Sequence, residues 1–152
     1  MKSDEIPQEG WELIKAHLGY NDEELALFKE NPRNVKVLAT AMTMKQKTFV
    51  FEVIKSKGCN SGHVVGTRFF FSGDGNLITR MAPKKVCAFT LPVMSNLVFT
   101  MQELLYAGVD PNEMCFTRSG CFDVGVSCGG WGNIIVEAKT MDREEAMKLH
   151  RG

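Results

Sequence analysis

The sequence predicts an α+β fold: an N-terminal helical hairpin, then a mostly antiparallel sheet of about five strands packed on one long helix. Three observations predict it. Residues 1–45 carry apolar side chains at three- and four-residue steps, the period of an amphipathic helix. From Thr48 the chain changes to short runs rich in β-branched and aromatic residues, separated by glycine-bearing turns. One strong apolar stripe then returns between Pro92 and Ala107. The expected division is a helical extension over 1–45, an α+β core over 46–141 and a charged tail over 142–152.

Within the first segment, Trp11, Leu13, Ile14 and Leu18, and later Leu25 and Phe28, form the apolar positions. Asn21-Asp22 is a good N-cap, with Glu23 and Glu24 in the first turn where the helix dipole favours anions. Asn31-Pro32 ends that helix and starts the next, whose stripe is Val35, Leu38, Ala39 and Met42. Phe49 to Ile54 reads as a strand covered on both faces for part of its length, and Thr67–Phe71 as another. Ser72–Asn76 is rich in turn formers, so Leu77–Thr79 is expected to return as a hairpin partner. Pro92 near the start and Gly108 at the end bracket the long helix. Further strands are expected near Met114–Val126 and Asn133–Lys139, and a short helix or frayed end from Asp142.

Lys plus Arg balances Asp plus Glu at 18 each, which gives no electrostatic reason to expect nucleic acid or an anionic membrane as partner. A net charge of zero favours association, and a homo-oligomer or a subunit of a hetero-complex is expected. Met1–Glu5 is polar and acidic, unlike a signal peptide, and the apolar run from Val86 to Met101 is too interrupted to span a bilayer. A cytoplasmic location follows as the expectation, with the five cysteines as reduced thiols.

Candidate chemistry collects in two glycine-studded segments. Cys59 and His63 stand four apart, with Gly62 between them and Gly66 after, in a turn able to bring a thiolate and an imidazole together. In the second segment, alternation places Phe122, Val124 and Val126 toward the core and Cys121, Asp123 and Gly125 on the opposite face. Cys128 follows among Gly129, Gly130 and Gly132. Cys87 precedes the long helix, whose dipole lowers a thiol pKa, and Lys84 and Lys85 act in the same direction. Cys115 reads as core, and His17 and His150 as surface. No phosphate-binding glycine loop, Gly-x-Ser-x-Gly elbow or His-Glu-x-x-His occurs.

The spacing Cys59-x2-Gly-His63-x2-Gly66, the run Ala82-Pro83-Lys84 before Cys87, and Gly120-Cys-Phe-Asp-Val-Gly with Cys128-Gly-Gly-Trp-Gly resemble a family of small bacterial and archaeal proteins. That family is best known from anaerobes and has no assigned activity. The resemblance covers about residues 48 to 139 and implies a site at Cys59, His63, Cys87 and Cys128 without naming a reaction.

Three functions are expected from these residues. The first is binding of a metal, zinc or iron, through Cys59, His63, Cys87 and Cys128, with Cys121 as the alternative ligand. The second is a structural or accessory subunit of a larger metabolic enzyme complex, packing through its glycine turns and Trp131. The third is a metal-free cysteine enzyme with Cys59 or Cys121 as nucleophile, His63 as base and Asp123 as orienting group.

Overall fold

The computed structural model describes residues 6–152. The described residues form two compact units, divided between Met42 and Thr43.

The first unit is helical. Helix α1 (Gln8–Leu18) ends at Gly19, whose φ of 72° supplies the left-handed turn. Helix α2 (Asp22–Glu30) begins with a capping box: the Asn21 side chain accepts from Glu24 N–H, and the Glu24 carboxylate accepts from Asn21 N–H. Helix α3 (Pro32–Lys45) starts on proline, as Asn31-Pro32 implied. The expected hairpin is therefore three helices. Trp11, Leu25 and Val35 form its core, with Phe28 edge-on to Trp11 at 6.4 Å. Leu13 and Met42, expected on apolar stripes, are exposed.

The second unit carries a four-stranded antiparallel sheet, not five strands, built from β1 (Lys47–Lys57), β2 (Arg68–Ser72), β3 (Arg118–Gly120) and β4 (Asn133–Asp142). Its order is β2-β1-β4-β3. Strands β1 and β4 pair along their whole length, from Lys47 opposite Asp142 to Lys57 opposite Asn133, with one irregularity between Val53 and Lys55. Period-two alternation decides which side chains go where. Phe49, Phe51 and Val53 of β1, Phe69 and Phe71 of β2, and Ile134, Val136 and Ala138 of β4 share one face. Helix α4 (Leu91–Ala107) covers that face with Met94, Val98 and Met101, and stops at Gly108. Val50 and Phe70 point the other way and meet Met81.

The expected charged tail belongs to this second face. It is helix α5 (Arg143–Arg151), capped by Asp142 and Glu145, with Ala146 buried and Met147 and Leu149 packed against Val50, Phe70 and Met81. Arg68 pairs with Glu52 at 2.6 Å and also donates to the Leu149 carbonyl. Leu77 makes a single bridge to Phe71, and a 3-10 turn over Thr79–Met81 replaces the rest of the expected return strand.

The segment expected as a strand over 114–126 forms one only at Arg118–Gly120. Beyond it the parity reading inverts. Phe122, Val124 and Val126 are exposed, and Cys121 packs against the core. Once the ladder ends at Gly120, alternation no longer governs side-chain direction. Cys115, expected in the core, is exposed, while His17 and His150 lie on the surface as expected. Among the described residues no helix is long and apolar enough to cross a membrane.

Candidate functional site

The site lies where β1 ends and β4 begins. Gly58 follows Lys57 with φ of 66°, and a Cβ there would stand 2.9 Å from the Trp131 carbonyl oxygen. Opposite it, a Cβ on Gly132 would overlap the Gly58 carbonyl. Two glycine-bearing loops can cross at van der Waals contact only because neither residue has a side chain.

From this crossing the first loop, 59–67, folds back on its own strand. Gly62 N–H donates to the Cys59 carbonyl at 3.0 Å, Gly66 N–H to Val53 at 2.9 Å, and the Ser56 hydroxyl to the His63 carbonyl at 2.6 Å. The second loop is clasped by Asp123. Its Oδ1 accepts from Gly125 N–H at 2.9 Å and from Trp131 N–H at 3.1 Å. Gly130 must also be glycine, because a Cβ would collide with that carboxylate. These N–H donors hold the Asp123 carboxyl below the ordinary carboxylate range, Gly125 first, with burial opposing them. A third segment, the turn into α4, joins the second through Phe122 N–H donating to Phe89 at 3.2 Å.

The three segments enclose an open cleft of about 590 Å³. Cys59, Cys87 and Cys121 line it from one segment each, together with Ser61, Thr90 and Asp123. Its remaining walls are mostly apolar, with Phe89, Phe122, Val124 and Trp131 exposed along them.

Cys87 is the thiol around which polar donors gather. The Cys87 carbonyl accepts from Thr90 and Leu91 N–H, and its Sγ accepts from Phe89 N–H at 3.4 Å, so Cys87 holds together the turn that leads into α4. Burial pushes the thiol up, but hydrogen bonds from the Ser61 hydroxyl and from Phe89 and Thr90 outweigh it and leave Cys87 below the ordinary thiol range. Cys121 is held differently: Ile134 N–H donates to its Sγ at 3.4 Å.

Of the other expected site residues, His63 and Cys128 are placed apart from this cleft. His63 does not line it; the ring is buried, edge-on to Phe69 at 5.1 Å, with no hydrogen-bond partner on Nε2. Desolvation pushes its pKa down, which keeps the ring neutral. Asp123 spends its Oδ1 on backbone N–H groups, so no Cys–His–Asp relay is assembled. Cys128 is exposed on a 3-10 turn outside the lining. Among the described residues no three His, Cys, Asp or Glu side chains stand ready to enclose a metal ion. Sequence reasoning missed Ser61 and Thr90 as partners of Cys87. The signal for Thr90 was a hydroxyl residue just before Leu91-Pro92, a position that favours helix capping.

Comparison with known protein families, curated proteins and solved structures yields no match for this chain.

Proposed function

We propose that the cleft is a reactive-thiol site in which Cys87 acts as a nucleophilic thiolate toward a small bound molecule. One observation carries this reading: a cysteine lining the cleft in the turn that leads into a 17-residue helix, with Phe89 N–H donating to its sulfur and Ser61 and Thr90 lining the same cleft. A thiolate needs such donors, and a nucleophile needs a cavity in front of it. Alkylation tests the reading. With iodoacetamide near neutral pH, followed by peptide mapping, Cys87 is expected to label about tenfold faster than the exposed Cys115 and Cys128. Ser61→Ala is expected to slow Cys87 and leave Cys115 unchanged. Equal rates at all three positions overturn the proposal.

A metal-binding reading is favoured by a different observation, the supply of three thiols to one cleft from three separate segments. In it Cys59, Cys87 and Cys121 turn their thiolates onto one zinc or iron ion. Anaerobic purification with elemental analysis tests it. Near-stoichiometric zinc or iron that disappears in Cys121→Ser supports this reading, and a metal-free protein after loading with either ion removes it.

A further inference from the structure

We propose that the cleft selects a neutral, largely apolar small molecule with a flat face, held against the Trp131 ring. The proposal deepens the reading of the cleft as the functional site. Its carrying observation is the chemistry of the walls. Among the lining residues there is no Lys, Arg or His, and the one carboxylate, Asp123, has its Oδ1 turned to the backbone of its own loop. An anionic ligand such as a carboxylate or phosphate would lose water and meet no cation in return. A thiolate at Cys87 would repel it further.

Apolar ligands face the opposite balance. Phe89, Phe122, Val124 and Trp131 leave a cluster of exposed apolar surface at one place, Trp131 being 76% exposed. Such a cluster marks a binding surface more often than chance scatter does. The volume, about 590 Å³, falls within the range of sites for small organic molecules. Trp131 is also pinned for the task. Its N–H is held by Asp123, its carbonyl lies over Gly58, and the ring projects from a fixed backbone. A ligand that stacks there loses little freedom to ordering of the loop.

Three matched probes test this: naphthalene methanol, naphthoate and naphthylmethylammonium, titrated into the full-length protein by calorimetry. Saturable binding of the alcohol at one site is expected, about tenfold tighter than the carboxylate. The alcohol is also expected to slow alkylation of Cys87. Trp131→Ala is expected to weaken it about tenfold, whereas Phe116→Ala, an aromatic side chain 86% exposed outside the cleft, leaves it unchanged. Alkylation of Cys87 with no ligand present separates the two proposals, because it reads the thiol alone. Carboxylate or ammonium binding as tight as the alcohol, an equal loss in Phe116→Ala, or no saturable binding overturns the inference. None of these outcomes bears on whether Cys87 is the fast-reacting thiol.

Discussion

The His63 ring stands edge-on to Phe69 with the residue only 3% exposed, and its Nε2 has no partner. Burial disfavours imidazolium, so the folded protein holds this ring neutral with a pKa below 6.5. The unfolded chain takes up the proton first as pH falls. His63 therefore leaves stability intact above its unfolded value, and stability is lost as pH drops from there toward the lowered folded value. Urea unfolding at about pH 7.5 and about pH 5.5 checks this, with His63→Leu as a non-titrating variant of similar bulk. The wild-type midpoint is expected to fall more between the two conditions than the variant's. Parallel midpoints would show that His63 does not carry the linkage. Cys87 shows the opposite tuning by the same physics, since donors to its sulfur outweigh the cost of burial. The two residues were legible as polar chemistry in the chain. Their opposite roles were not, because burial and donor placement are properties of the folded neighbourhood.

At the scale of elements, the site depends on the crossing of two loops at Gly58 and Gly132. A methyl on Gly132 would overlap the Gly58 carbonyl, and backbone cannot give way as a side-chain end can. Gly132→Ala is expected to cost about 3 kcal/mol in chemical denaturation. Gly129→Ala is the contrast: its φ is 86° with nothing within 4 Å of an added Cβ, so only left-handed strain remains, about 1–2 kcal/mol. Comparable losses at the two positions would remove the loop crossing as the reason for glycine at 132. The regular elements were readable from the sequence because burial enforces a period: Phe49, Phe51 and Val53 on one face, Val98 and Met101 on one stripe. Alternation failed at Phe122 and Val124 for the complementary reason. No partner strand holds residues 122–126 in register, and the Asp123 clasp fixes this loop instead. The Asn21 cap and the Gly108 stop were legible because each is a local interaction between near neighbours.

At the scale of the molecule, residues 43–152 contain both hydrophobic clusters that flank the sheet, all three cleft segments and all five cysteines. The helical unit has a separate core in Trp11, Leu25 and Val35. A sheet sealed on one face by α4 and on the other by α5 needs no further cover for its apolar surface. A fragment of residues 43–152 is expected to fold alone, provided it keeps the residues just before β1. Gly73 packs directly on the Met44 carbonyl, and Gly73 N–H donates to the Lys47 carbonyl at 2.9 Å, so the β2 turn is seated on that short stretch. The tail must also stay, because removing α5 would uncover Val50 and Phe70. Cooperative urea unfolding of the fragment, together with Cys87 alkylation at the rate of the intact chain, is the expected result. A fragment that unfolds without a cooperative transition, or whose Cys87 reacts no faster than Cys115, would show that the helical unit is required to form the site.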